Sequence, residues 1–267
     1  MTARRLVSAA SLFLLSVLGC RPKVESSSPP IPLEPAVLER TVRELVNASE
    51  AIRRYQGFVR IRGKGPEGGF DARLVVIFER PSEFRVELLG PFGSTRWSAV
   101  ATEDGIRVVF PGRKQFLKEE DTADIVGRLL GIRLHPEELM AILSGLGTPL
   151  RSGASDGYRR GSTTVLTTVD GGRLEIADDG QVRRVRTRNY RVSYPTPYKR
   201  HRRQVPDRLR LETDRLEVTL TPEDVDVNVA LDTEAFFIEI PAGAVRLRPA
   251  EVDGEAVFVA TGEGVPR

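Results

Sequence analysis

The chain carries very little with which to do covalent chemistry. Its 267 residues include one cysteine and two histidines, His135 and His201. Metal sites built from several His or Cys ligands are therefore excluded, and with the one thiol read as acylated a Cys/His dyad is excluded too. A single cysteine also excludes a disulfide within the chain, so folding must rest on packing. There is no phosphate-binding glycine loop and no nucleophile elbow; Gly63-Lys64-Gly65-Pro66 followed by Gly68-Gly69 reads as a hairpin turn. His135 directly precedes Pro136 at a helix start, which suits a capping or surface role. No local arrangement supports a Ser/His/Asp triad. Neither a metal nor a cofactor is expected.

What the chain does have begins with Cys20. An apolar run of thirteen residues, Leu6 to Leu18, follows Arg4 and Arg5 and leads through Gly19 to Cys20. A basic start, an apolar stretch of that length and a small residue before the cut are the parts of a cleaved signal peptide. A bilayer-spanning helix needs about 20 apolar residues, so the run is too short for a permanent anchor. The thiol at Cys20 is the nucleophile that would take a diacylglyceryl chain, and residues 1–20 are read as a lipoprotein signal. Their removal takes two arginines from the 40 basic residues and none of the 37 acidic ones, lowering the formal charge from +3 to +1. Global charge thus favours no particular partner, and nucleic acid is implausible for an exported chain.

Residues 21–35 (RPKVESSSPPIPLEP) are rich in Pro and Ser and lack apolar periodicity, which predicts an extended tether. From Ala36, Leu38, Val42, Leu45, Ser49 and Ile52 recur at helical spacing, while Arg40, Arg43, Glu44, Glu50 and Arg53 face outward; one amphipathic helix is expected before Gly57. Its polar face is mixed in sign, unlike that of a lipid-binding helix. Strands follow. Phe70, Ala72, Leu74, Val76 and Phe78 alternate with charged residues, as do Phe84, Val86 and Leu88, giving one wet and one apolar face. Further strands are expected at 58–62, 95–101, 106–110 and 115–118. Two short helices, Thr122–Leu130 and Pro136–Leu143, then end at Gly131 and Gly145. Strands resume at 163–169, 173–177, 182–194, 208–213, 216–221 and 225–229. The expected fold is mainly β with helices: about 11–12 strands in one antiparallel sheet. Such a sheet must curl, and its apolar face needs a cover. The boundaries predicted are a folded domain over 36–240 and a tail or extra hairpin over 241–267.

The segment Leu88-Leu89-Gly90-Pro91-Phe92-Gly93-Ser94-Thr95, followed by Asp121 to Gly131 and then Pro136 to Gly145, resembles the LolB outer-membrane lipoprotein receptor family. In that family a Pro-apolar-Gly-Ser-Thr turn joins two strands, and a two-helix insertion of the flavour Asp-Ala-Glu-x-Ile-Gly-x-Leu-x-Gly closes the mouth of an incomplete β-barrel. Asp121, Thr122, Ala123, Asp124, Ile125, Val126, Gly127, Arg128, Leu129, Leu130 and Gly131 fit that pattern. The specific match covers about residues 84–149.

The resemblance implies a non-catalytic protein anchored in the outer membrane through Cys20 and facing the periplasm. It implies an inner cavity that binds the acyl chains of lipoproteins handed over by a periplasmic carrier. Phe78, Phe84, Val86, Trp97, Val108, Phe110, Ile125, Leu129 and Leu139 would line it, and the helices over 122–143 would form a loosely attached, movable lid. The same residues would equally fill a dry core. Pro91, Phe92 and Gly93 match the family's exposed apolar loop, linked with delivery into the membrane. A large ring at a hairpin tip gains nothing in water unless it meets lipid or a partner. Two other readings remain open: a structural envelope lipoprotein acting as a platform for protein assembly, and a lipid hydrolase.

One feature lies outside that pattern. From Arg183 to Arg208 there are ten basic residues against one acid, Asp207. Arg184, Arg186, Arg188, Lys199, Arg200, Arg202 and Arg203 form a basic patch that is either a solvated face or a contact for anionic head groups or an acidic carrier. The protein is expected to be a monomer.

Overall fold

The computed structural model describes residues 29–65, 68–90, 92–119, 129, 134–148, 150, 153–195 and 205–252. Among the described residues fifteen strands form one sheet, ordered β1-β8-β9-β10-β11-β12-β13-β14-β2-β3-β4-β5-β6-β7-β15. The strands before the second helix are β1 (Ile31–Pro32), β2 (Arg54–Gly65), β3 (Gly68–Glu79), β4 (Glu83–Leu89), β5 (Thr95–Thr102), β6 (Gly105–Phe110) and β7 (Gln115–Glu119). After it come β8 (Ala154–Arg160), β9 (Thr163–Thr168), β10 (Arg173–Ala177), β11 (Val182–Arg186), β12 (Arg191–Ser193), β13 (Leu209–Glu212), β14 (Glu217–Val227) and β15 (Val245–Arg246). Each neighbouring pair is antiparallel except β15 on β7. The sheet is curled and not closed into a barrel.

The period-two pattern explains which face turns inward. Tyr55, Val59 and Ile61 of β2 share the inner face with Leu74, Val76 and Phe78 of β3 and with Phe84, Val86 and Leu88 of β4, and all are buried. Charges occupy the outer face in cross-strand pairs, such as Arg60 and Arg62 with Asp71, and Arg54 with Glu79. These pairs are half exposed and add little to stability.

Among the described residues two helices pack into the apolar cluster on the inner face of the sheet. Helix α1 (Pro35–Glu50) starts with Pro at its first turn and buries Leu45 and Ser49. It lies close to β8 because Gly157 has no side chain: a Cβ there would stand 2.9 Å from Leu33 and 3.0 Å from Leu38. Helix α2 (Pro136–Leu143) is capped by His135, whose backbone N–H donates to Glu138 Oε2 at 2.8 Å. The other expected short helix lies outside the described residues except for Leu129, which is buried.

The strand count differs from the expected 11–12 for identifiable reasons. The run 182–194 is two strands, because Thr187 Oγ1 accepts from the backbone N–H groups of Asn189 and Tyr190 and makes a turn without Gly or Pro. The runs 216–221 and 225–229 are one strand, β14, carrying a bulge between Glu223 and Asp226. Strand β8 has few large apolar residues and gave no alternation; its inner position is Gly157. The two-residue strands β1 and β15 lie in segments expected as tether and tail.

After β14 the chain crosses the outer face of β4–β7. Asn228 starts the crossing, accepting from the N–H of Arg53 at 2.9 Å and donating to Ala51 O at 2.7 Å. Arg85 Nη1 then donates to the carbonyls of Ala235 and Phe237 at 2.9 and 3.0 Å. Ile238 is buried against Val100 and Val109, with Phe116 and Phe236 beside them. This strap explains why Ser98, Ala99, Val100 and Ala101 are buried in succession: both faces of β5 are covered.

Candidate functional site

The loop between β4 and β5 is tied at its base and open at its tip. Gly90 N–H donates to Ser94 O at 2.8 Å, and Gly93 N–H to Gly90 O at 3.1 Å. Between them Phe92 and Gly93 both take positive φ, +73° and +78°. Such a φ is uncommon for any residue with a side chain and strained for a bulky one. The Phe92 ring is completely exposed, at 107% of its reference area, the most exposed large apolar side chain among the described residues. Pro91 lies outside the described residues.

The other expected apolar residues point the opposite way. Phe78, Phe84, Val86, Trp97, Val108, Phe110, Leu129 and Leu139 are all buried in one continuous cluster inside the curl. The pairing brings Phe78 opposite Phe84, Val86 opposite Ala99, and Ala99 opposite Val108. Ile125 lies outside the described residues.

Two members of this interior carry an unsatisfied polar atom. Trp97 Nε1 and the Tyr55 hydroxyl are buried with no hydrogen-bond partner among the described residues. Tyr55 was not singled out by its sequence context, since β2 was expected to begin at Phe58. It stacks on Phe78 with ring centres 5.1 Å apart and planes 10° from parallel. Burial alone pushes its pKa well above the usual phenol value. An unpaired polar group in an apolar interior costs about 1–3 kcal/mol.

Arg80 is a second residue that sequence reasoning missed. Its Nε donates to Ile52 O at 3.0 Å, and Nη2 reaches Ser49 Oγ at 3.2 Å and Ser144 Oγ at 3.3 Å. One guanidinium therefore joins the C-terminal ends of α1 and α2, over the face of Phe78. Desolvation lowers its pKa, with Glu50 opposing.

Helix α2 is packed rather than loosely attached. Pro136 and Leu139 to Leu143 are all buried, because the helix is apolar around most of its circumference. Tyr194 OH donates to Ile142 O at 2.8 Å, and Tyr190 OH to Gly147 O at 3.2 Å, fastening the helix end and the segment after it to the residues on either side of β12. Shortness does not imply few contacts here.

Of the basic patch, Arg184, Arg186 and Arg188 are exposed. Arg184 pairs with Glu175 at 3.4 Å, while Arg186 stands directly opposite Arg191 across β11 and β12. Lys199, Arg200, Arg202 and Arg203 lie outside the described residues, as does Cys20. At the other end of the strands an open cleft of about 490 Å³ lies between the strap and β2–β5, lined by Arg54, Glu79, Glu83 and Asp232 beside Phe236 and Phe237. Its three carboxylates make it a poor host for hydrocarbon.

A curled, unclosed sheet around an apolar interior is a fold that this chain shares with solved structures of the LolA superfamily. A LolA superfamily protein from Nitrosomonas europaea superposes with a TM-score of 0.51 at 12% identity, covering 73% of this chain and 96% of that one. A domain from Vibrio parahaemolyticus, described as an outer membrane lipoprotein-sorting protein domain, gives 0.50 at 10% identity, over 74% of this chain and 95% of its own. A DUF1329-family protein from Desulfovibrio piger also gives 0.50, at 9% identity, over 74% and 96%. Identities this low establish the fold alone. No curated protein matches the sequence. The family model for outer membrane lipoprotein LolB matches residues 54–224, from β2 to the bulge of β14, and the chain belongs to that family.

Proposed function

We propose that this protein binds the acyl chains of lipoproteins inside the curled sheet and helps place them in the outer membrane, without making or breaking bonds. The observation that carries the reading is Phe92. A large ring held wholly in water on a strained backbone loses free energy in the isolated protein, so its place in the loop is explained by contact with lipid. The apolar interior from Phe78 to Leu139 supplies the second half of the reading: each methylene moved into it from water is worth about 0.8 kcal/mol. Cargo would arrive from a periplasmic carrier of the LolA type, and a diacylglyceryl chain on Cys20 would hold the protein at the membrane as a monomer.

The test separates binding from delivery. Phe92→Glu should leave thermal stability and binding of an acylated peptide unchanged, because the ring touches nothing in the folded state, and should impair transfer of that peptide to liposomes. Unchanged transfer in a stable variant would remove the reading. Native mass spectrometry of residues 21–267, which contain every described element, should find copurified lipid.

A further inference from the structure

Three chain segments meet at the end of the sheet that carries Phe92. The β4–β5 loop is the first. The β6–β7 turn, Pro111–Lys114, is the second, because β6 lies beside β5 with Ser98 opposite Val109. The third is the last part of the strap: Val245 N–H donates to Lys114 O at 2.9 Å, and β15 runs beside β7 from Gln115. Neighbouring strands are about 4.8 Å apart, which puts the loop and the turn within about 10 Å of each other.

The chemistry of these segments is one-sided. Residues 90–97, 109–116 and 241–247 contain no aspartate or glutamate and include Arg96, Arg113, Lys114 and Arg246. Arg246 is turned toward Glu119 and Lys118 O, away from the loop. Arg96, Arg113 and Lys114 are exposed and have no acidic partner among the described residues. On the adjoining strands Glu87 is engaged with Arg85 and Asp71 with Arg60 and Arg62, while Glu239 of the strap is exposed. Val245, at 64% exposure, adds an apolar side chain next to Lys114. On β2–β4 the outer-face cations are interleaved with acids; here Arg96, Arg113 and Lys114 lie at the same end of the sheet as Phe92 and Val245.

We propose that this end of the molecule is a membrane-docking platform. Phe92 and Val245 enter the interfacial region, and Arg96, Arg113 and Lys114 hold the phosphates of anionic head groups around them. The proposal rests on the membrane role given to Phe92 above and adds the class of surface recognised. It also gives a purpose to the strap, whose turn lies beyond the family match. Apolar insertion and cationic contact are the two contributions that together keep a peripheral protein on a bilayer.

Residues 21–267 should sediment with phosphatidylcholine vesicles increasingly as phosphatidylglycerol is added, and less as salt is raised. Arg113→Gln combined with Lys114→Gln should weaken binding to the anionic vesicles about thirtyfold, or 2 kcal/mol at 1.4 kcal/mol per tenfold. Binding to pure phosphatidylcholine should not change. Phe92→Ser should weaken binding to both kinds of vesicle. Loss with Phe92→Ser but none with the double variant overturns the platform and leaves the Phe92 reading standing. Loss with neither overturns both. If Arg186→Gln with Arg191→Gln abolishes the anionic dependence instead, the contact is the basic face on β11 and β12 and the platform is wrong.

Discussion

Removing one oxygen atom from the core should stabilise this protein. Tyr55 is fully buried, and Tyr55→Phe keeps the ring, its stacking on Phe78 at 5.1 Å and all of its buried carbon. What disappears is a hydroxyl with no hydrogen-bond partner among the described residues. Leaving such a group dry costs about 1–3 kcal/mol, so the variant should gain about 1–2 kcal/mol. For a chain of this size that is a rise in Tm of about 2–8 °C. The control is Tyr194→Phe, a tyrosine equally buried whose hydroxyl donates to Ile142 O at 2.8 Å; the same change there should cost about 1 kcal/mol.

Alkaline pH supplies a second axis. The folded pKa of Tyr55 is raised by burial, so its contribution is fully present below the unfolded value of 10 and is lost as pH rises toward the folded one. Above pH 10 the wild type should lose about 1.4 kcal/mol per pH unit more than Tyr55→Phe. Tyr190 is raised in the same direction and remains in both chains, so the difference isolates Tyr55. Chemical denaturation of the two variants at pH 7 and above pH 10 makes the measurement. A Tyr55→Phe variant less stable than wild type by 1 kcal/mol or more would show that the hydroxyl is satisfied, and the reasoning would fail.

Arg80→Ala should cost about 2 kcal/mol by denaturant titration, because Ile52 O, Ser49 and Ser144 lose a shared donor at the junction of the two helices. In hydrogen exchange the amides of Met140 to Leu143 should be protected as well as those of the β2–β3 ladder; fast exchange there would show that burial of α2 does not hold it closed. Cys20→Ala should leave the melting temperature unchanged and move the protein out of the membrane fraction, and retention in the membrane would refute lipid anchoring.

The parts of the fold legible in the sequence were those where one face is wet. Along β3 and β4 each inward Leu, Val or Phe is followed by a charge, and the strands lie where that alternation put them. Legibility failed where a neighbour from far along the chain does the covering. At β8 the inner position is Gly157, filled by Leu33 and Leu38, so no apolar rhythm marks the strand. The bulge at Asp224, with φ of +46°, looked like a break between two strands. Phe92 could be placed because Pro and Gly flank it at a turn. Tyr55 and Arg80 could not, since an unpaired hydroxyl or a shared guanidinium is defined by partners that local sequence does not contain. The cations near Phe92 were equally hidden: Arg113 and Lys114 are ordinary turn residues until the register sets them next to that loop.

Both edges of the sheet are strands of only two residues, β1 and β15, and one of them contains Pro32, which has no N–H to offer. Neither edge presents a long row of free donors and acceptors, so the open seam is a poor template for joining a second molecule. A fully closed barrel has a girth set by its strand number and stagger. An unclosed sheet is free of that constraint: its two margins can part or approach while every ladder from β8 to β7 stays paired. On the acyl-chain binding proposed above, guests of different thickness would be accommodated at the seam rather than in the core.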